Sequence, residues 1–347
     1  DKKVLFFMPH GYGPCRQGQY YIMLQEVIKD LKLENVAVLT MNEEASFDDL
    51  GKDFFRRGWI ALMISDVLTD IYNALLAIAE DKISALKIFD IEWKKIEAKI
   101  ELGVEKEIFN QLKSSADELA KIKLKTKLKD AKTISLIGEI YVRKEEFSLG
   151  GIIEELAERG FVVRTAPISE YIYYSNYLLK KKKLDEDYSL FDKTKIILKD
   201  KFQNFLERKI KRALSKSNLV PEEMINIDET IAYSRNLISE ELVGEGILTT
   251  GLALREILDH SCGVISIGPF NCMPCRLADS ILNNEMTLDG KHKHSPFGEN
   301  GYNPELKNLP FLYVETDGSP FPQIIQSRLE IFMMQAEETD NKMKRRH

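Results

Sequence analysis

The sequence predicts an α/β fold built on parallel sheets. Short β-branched runs alternate with long amphipathic segments, and the loops after these runs are rich in Gly and Pro. Apolar residues make up 44% of the 347 positions, which is enough for sizeable cores. A chain of this length usually folds into two domains. We place a partial α/β domain with a helical arm at 1–130 and a complete α/β domain at 131–347.

Six short apolar runs are predicted strands, four of them in the second domain, where they form βα units around a parallel sheet. Two strands are thin for a complete domain, so we expect the first domain to begin further upstream. The predicted strands are Val4–Met8, Val36–Thr40, Thr133–Ile137, Phe161–Thr165, Val264–Ile267 and Phe311–Glu315.

Long segments between the strands are predicted helices. The segment from about Asp48 to Lys129 contains no proline and is predicted to be almost wholly helical, with Gly103 as the internal break. We interpret it as a solvated helical hairpin and a plausible homodimer surface. The other predicted helices cover about Gly18–Leu31, Leu149–Arg159, Ser169–Arg212, Glu241–His260, Leu277–Asn283 and Phe321–Glu338.

Charge and hydropathy exclude two classes of partner. The chain has 49 Lys+Arg against 55 Asp+Glu, a net charge of −6, and lacks the basic excess that binds nucleic acid. Its longest apolar runs fall far below the roughly 18–20 residues of a membrane span. Four cysteines are too few for a secreted disulfide scaffold. These features indicate a cytoplasmic protein that binds neither nucleic acid nor a membrane.

Three of the four cysteines lie in loops at the carboxyl ends of predicted strands, where ligands of α/β proteins collect. Cys15 follows the first strand, and Cys272 and Cys275 follow the fifth. Cys262 precedes that fifth strand and so lies at its opposite end, which predicts a packing residue. The C-x2-C spacing suits two thiolates on one metal or cluster, and it also suits thiol–disulfide exchange. With Cys15, three thiolates can hold a [4Fe–4S] cluster that leaves one iron for another ligand.

The residues around these cysteines suit an anionic cluster. Gly268 lets backbone N–H groups approach sulfur, and Arg16 and Arg276 each follow a candidate ligand directly. Glu139 ends another strand and can position a ligand or cap a helix, and Glu245 is similar. The other candidate ligands are His10, in the Cys15 loop, and the pair His292 and His294, in a predicted polar loop.

Six ordered motifs resemble the acyl-CoA dehydratase activase-related proteins, relatives of the 2-hydroxyacyl-CoA dehydratase subunits. The resemblance runs from about Met8 to Ala336. The motifs are Gly13-Pro-Cys-Arg-Gln-Gly-Gln-Tyr20, Phe55-Arg-Arg-Gly-Trp59, Gly138-Glu-Ile-Tyr-Val-Arg143, Gly268-Pro-Phe-Asn-Cys-Met-Pro274, Tyr313-Val-Glu-Thr-Asp-Gly318 and Arg328-Leu-Glu-Ile-Phe332.

The resemblance implies Rossmann-like or flavodoxin-like parallel sheets with large helical insertions, and an oxygen-sensitive iron–sulfur cluster between domains. It implies Cys15 and Cys272 as cluster ligands, with Cys275 as a substitute for a third. It also implies ATP-driven electron delivery from an activase ATPase, separate or fused upstream, because no Walker A motif is present here. An acyl-CoA would be the substrate class.

The leading hypothesis is therefore an iron–sulfur redox component that transfers electrons at low potential. Three alternatives remain open at this point. The first is a metal-free module that binds CoA or a partner, the second a zinc site on the same thiolates, and the third a redox dithiol at Cys272 and Cys275.

Overall fold

The computed structural model describes residues 2–8, 15–40, 52–181, 190–298 and 301–344. Over these ranges the predicted fold class is confirmed, since two parallel sheets are flanked by many helices. His10 and the first two glycines of the Cys15 loop lie outside the described residues.

The first sheet is a small βαβ unit. Its strands β1 (Val4–Phe7) and β2 (Val36–Leu39) pair in parallel, and helix α1 (Tyr20–Asp30) connects them. The start of the predicted helix is instead a 3-10 turn over Arg16–Gln19. All four residues of β1 are exposed. Strands of parallel sheets are normally covered on both faces, so β1 is unusually open.

The second sheet has four parallel strands, β3 (Lys132–Gly138), β4 (Phe161–Thr165), β5 (Gly263–Pro269) and β6 (Phe311–Thr316), in the spatial order β4-β3-β5-β6. The chain leaves β3 for β4 on one side and later returns to β5 on the other. The carboxyl ends of β3 and β5 therefore form a topological switch point, the usual ligand position in such sheets.

Helices cover both faces of the four-stranded sheet. Helices α5 (Glu146–Leu149), α6 (Ile152–Glu158) and α13 (Gln323–Lys344) share an apolar core with one face. On the other face lie α10 (Glu245–Glu256) and α11 (Met273–Glu285). Because α11 begins earlier than predicted, Cys275 lies inside a helix and not in a loop.

The interpretation of the proline-free segment as a solvated hairpin is wrong. The segment forms α2 (Lys52–Ile78), α3 (Lys82–Leu102) and α4 (Glu105–Leu119), and α2 packs directly on β4. Trp59 and Met63 of α2 are buried with much of the helix. Helix α2 is apolar on more than one face, which is typical of a core helix. Gly103 does end α3, with a left-handed φ of 71°.

One helical stretch, Arg56–Ile78, is long and apolar enough to cross a membrane by composition. However, 67% of its most apolar window is buried inside the protein. Most of this window is therefore packed inside the protein, as in a core helix.

The remaining helices are α7 (Ser169–Lys180), α8 (Leu190–Leu214), α9 (Ile227–Ser234) and α12 (Leu288–His294). Helix α9 was not predicted. Helix α12 occupies the start of the segment predicted as a polar loop, so that prediction is wrong there. Thr287 begins α12 as an N-cap, because its hydroxyl accepts a hydrogen bond from the backbone N–H of Gly290.

Candidate functional site

The candidate site lies at the switch point of the four-stranded sheet. Glu139 directly follows β3, and Cys272 follows β5 as the residue before α11. Glu245 is the first residue of α10, and its carboxylate accepts a hydrogen bond from the Ile140 N–H (3.3 Å) beyond β3. Two strand ends and one helix start thus bring a thiol and two carboxyl groups together.

Cys272 is the N-cap residue of α11 and has extended backbone dihedrals. Pro274 fits the first turn of α11, where a backbone N–H has no partner within the helix. Cys272 is partly exposed, whereas Cys275, in the same turn, is fully buried. The C-x2-C spacing therefore produces one accessible sulfur and one hidden sulfur.

The two thiols have very different acidities. Cys275 donates hydrogen bonds from its thiol and its backbone N–H to the Cys272 sulfur, and these lower the pKa of Cys272 to about 7 although burial opposes the shift. The same thiol contact and burial raise the pKa of Cys275. Cys272 thus ionises more readily than an ordinary thiol, which suits a metal ligand or a nucleophile.

Gly268 determines where the Cys275 sulfur lies. A Cβ atom at this position of β5 would lie 2.7 Å from the Cys275 Sγ and 2.9 Å from its Cβ. The Tyr313 hydroxyl oxygen borders the same space, at 3.6 Å. The Cys275 side chain therefore packs against the backbone of Gly268, which has no side chain of its own. We predicted Gly268 as a residue that admits backbone to a cluster, but its closest side-chain contact here is Cys275.

Cys15 reaches this site from the other sheet. It precedes the 3-10 turn Arg16–Gln19 and is partly exposed. Burial raises the pKa of its thiol, while the backbone N–H of Gln17 donates to the sulfur and opposes the rise. The nearby acidic groups Cys272, Glu245 and Glu139 raise it further, so all three lie within electrostatic range of Cys15. The structure thus brings Cys15 and Cys272 to one site. Arg16 is exposed beside it.

The two carboxyl groups next to the thiols have different surroundings. Glu139 accepts hydrogen bonds from the backbone N–H groups of Tyr141 (3.1 Å) and Val142 (2.8 Å). Glu245 is partly buried. Burial raises the pKa of Glu245 to about 8, and the charge of Glu139 adds to the rise. At neutral pH the Glu245 carboxyl is therefore largely protonated.

A third carboxylate closes the site on the β6 side. Glu315 accepts a hydrogen bond from the backbone N–H of Asn271 (2.8 Å) and pairs with the Arg276 guanidinium (3.3 Å). Arg276 also lies over the Tyr313 ring. Arg276 was predicted to stabilise a thiolate, but its ion-pair partner in the structure is this carboxylate.

The fourth cysteine is a packing residue, as predicted. Cys262 is buried at the amino end of β5, and its thiol donates to the Thr133 carbonyl oxygen (3.2 Å). Burial raises the pKa of this thiol to about 12. Cys262 cannot share a site with Cys272, because the length of β5 separates them.

The histidine pair does not converge on a ligand. The His294 ring bonds to the Glu285 carboxylate (3.0 Å), whereas His292 stacks on Tyr302. Directly before the pair, Lys291 is fully buried and donates to the Asp259 carboxylate (2.7 Å). Residues two apart on a helix point in different directions, so the two rings serve separate contacts.

A cluster that the sequence did not predict lies near the amino end of the sheet. Glu223, Glu256 and His260 place ligand atoms within 4.8 Å of one another. Arg164 and Arg255 already form ion pairs with Glu223 (2.9 and 3.1 Å). The guanidinium groups supply the positive charge that a metal ion would bring. Residues so far apart in sequence carry no local signal of their proximity.

The three candidate cysteines do not converge tightly enough to hold a single metal ion. Among the described residues, the only group of three or more potential ligands within 4.8 Å is the Glu223 cluster, so the three cysteines do not form a mononuclear site. Ligands of a [4Fe–4S] core stand around a larger body. Cys15 and Cys272 are partly exposed, while the Cys275 thiol is buried.

Comparison with known proteins adds no relative to this picture. No protein-family model, curated protein or solved structure matches the chain.

Proposed function

We propose that the protein is a cytoplasmic iron–sulfur redox component, resembling 2-hydroxyacyl-CoA dehydratase subunits, that receives low-potential electrons from an ATP-driven activase. One observation supports this proposal above the others. Cys15 and Cys272 follow strands of two different sheets and lie within electrostatic range of each other, at the switch point of the larger sheet. A cluster between domains needs ligands from both sides. These two partly exposed thiols meet that need.

The site chemistry also favours cluster binding. Cys272 has a pKa of about 7 and so binds iron without a large cost of deprotonation. When bound, a [4Fe–4S] cluster would supply one-electron transfer at low potential. Cys15 and Cys272 would hold it, and the fourth cysteine, Cys262, would take no part.

The two carboxyl groups would supply a proton and a fixed hydrogen-bond acceptor beside the thiols. Glu245, protonated at neutral pH, holds a proton close to the thiols, and the backbone N–H groups of Tyr141 and Val142 keep Glu139 fixed as an acceptor. An acyl-CoA is proposed as the substrate class from the motif resemblance alone. Its phosphates would have to lie away from Glu139 and Glu315, because like charges repel.

The test is anaerobic reconstitution with iron and sulfide, followed by metal analysis and visible and EPR spectra. We expect about four iron and four sulfide per cluster formed. Cys15→Ala and Cys272→Ala should each lose most of the iron, while Cys262→Ala, matched in chemistry but remote, should retain it. A colourless wild-type protein, or full iron in Cys272→Ala, would contradict the proposal.

A further inference from the structure

Cys275 is not one of the two cysteines proposed to hold the cluster, and its position suits thiol–disulfide chemistry with Cys272. It is the third residue of α11, three positions after the N-cap residue Cys272, so the two cysteines share the first turn of that helix. Cys272 is partly exposed and Cys275 is fully buried. A reagent in solution therefore meets Cys272 first, and Cys275 is shielded from it.

We infer that Cys272 and Cys275 form a redox-active dithiol, and that its disulfide form cannot hold the cluster. The first half stands on the geometry of the pair alone. The second half rests on the proposed function. The oxidant belongs to the class of small-molecule disulfides, such as oxidised glutathione.

The exchange balances in two steps. The Cys272 thiolate attacks one sulfur of the small disulfide, which breaks the S–S bond, forms a mixed disulfide and releases one thiolate. Cys275 then gives up its proton and attacks the Cys272 sulfur, which releases the second small thiol. The two cysteines lose two electrons in total, and the small disulfide gains them as it becomes two thiols.

The packing of Cys275 assigns it the resolving role. Its sulfur lies against the backbone of Gly268 and near the Tyr313 hydroxyl, on the inner side of the helix start. Cys15 approaches Cys272 from the other sheet, with its own sulfur bound by the backbone N–H of Gln17. Cys275 thus shares the first turn of α11 with Cys272, whereas Cys15 belongs to a different element.

The consequence for the cluster follows from ligand chemistry. Only the thiolate form of cysteine ligates iron strongly, and a disulfide sulfur carries no such charge. Oxidation of the pair therefore removes Cys272 from the ligand set. Iron bound at Cys272 would in turn shield that sulfur from oxidants.

The first experiment equilibrates the apoprotein with glutathione redox buffers and maps disulfides by differential alkylation and mass spectrometry. We expect one two-electron transition, an intramolecular Cys272–Cys275 bridge, in wild type and in Cys15→Ala alike. Cys262 should stay reduced throughout. Accumulation of a Cys272–glutathione adduct in wild type, or a Cys15–Cys272 bridge, would overturn the inference.

Variants at the resolving position sharpen this test. Cys275→Ala, or Cys275→Ser if the alanine variant does not fold, should instead accumulate the Cys272–glutathione adduct, at least tenfold above wild type. Circular dichroism checks the fold of each variant. An adduct level equal to wild type would show that Cys275 does not resolve the mixed disulfide.

The second experiment reconstitutes oxidised and reduced wild-type protein with iron and sulfide under otherwise equal conditions. Oxidised protein should take up at least tenfold less iron, and dithiothreitol should restore the uptake. If the reduced protein takes up no iron although the bridge forms, the proposed function fails and the dithiol stands. Equal uptake by the fully bridged protein would overturn the exclusion of the cluster.

Discussion

The Cys275 sulfur occupies the space that a side chain at position 268 would need. The Sγ atom lies 2.7 Å from the place where a Cβ of residue 268 would be. Strand β5 can therefore carry only glycine here while Cys275 keeps its position. This contact couples the start of α11 to the end of β5, and with it the acidity of Cys272.

Gly268→Ala should disturb the thiol pair and the fold together. The new methyl group must displace the buried Cys275 side chain, and overpacking of this kind costs about 1–3 kcal/mol. Urea unfolding measures the loss. Gly58→Ala is the control, because nothing lies within 4 Å of a Cβ there and alanine in a helix gains up to about 1 kcal/mol. Equal stability of Gly268→Ala and wild type would contradict the close contact.

The rate of Cys272 alkylation should depend on pH with a midpoint near 7. Its pKa is about 7 because Cys275 donates to the sulfur, so the thiolate fraction rises through neutrality. Cys275→Ala removes the donated thiol hydrogen bond, which should move the midpoint upward. Iodoacetamide rates read by mass spectrometry at each pH measure both proteins.

Cys262 supplies the internal control in the same experiment. Its pKa is about 12 and it is buried, so it should stay unmodified across the pH series until the protein unfolds. A midpoint that is the same in wild type and in Cys275→Ala would show that the donated hydrogen bond does not set the acidity.

The sequence predicted the sheets and the loops that carry the site, because strand runs are local and strand direction decides where each loop lies. It did not predict that α11 begins at Met273, so the burial of Cys275 was missed. The burial of Lys291 was also missed. Its charge is satisfied by Asp259 and by the Leu254 and Arg255 carbonyl oxygens, which only the tertiary fold brings to it. The burial of α2 could have been predicted, because its sequence is apolar on more than one face. The hairpin interpretation overlooked this pattern.

Glu245→Gln should stabilise the apoprotein in a defined pH window. The pKa of Glu245 is about 8 in the folded protein against an ordinary value of 4.5, so the folded state keeps a proton that the unfolded chain releases. Its contribution to the free energy of unfolding therefore falls as pH rises from about 4.5 to about 8. Glutamine has no proton to lose.

The stability advantage of Glu245→Gln should thus grow across this window and level off above it. Urea unfolding at a series of pH values measures the difference. Glu305→Gln, at an exposed position, is the matched control and should show no such trend. A constant difference between Glu245→Gln and wild type from pH 5 to 9 would contradict the raised pKa.

The turn that carries Glu139 depends on a buried ion pair. Arg143 donates to the Gly138 carbonyl (2.7 Å), the Pro167 carbonyl (2.9 Å) and the Glu170 carboxylate (2.9 Å). Both charged side chains are buried, with 4% and 6% of their surfaces exposed. This pair joins the loop after β3 to the start of α7, so it positions the Glu139 side of the site.

Arg143→Met should destabilise the protein by about 3–5 kcal/mol, because it leaves Glu170 buried without a partner. Glu170→Met should lower the free energy of unfolding by a similar amount, because it leaves the buried Arg143 guanidinium without its carboxylate partner. The double variant should be more stable than the sum of the two losses predicts, because no charge then stays unpaired. Recovery should remain incomplete, since the carbonyl oxygens of Gly138 and Pro167 still lose their donor. A double-mutant cycle in urea measures the coupling, and additive losses would show that the two side chains do not act as a pair.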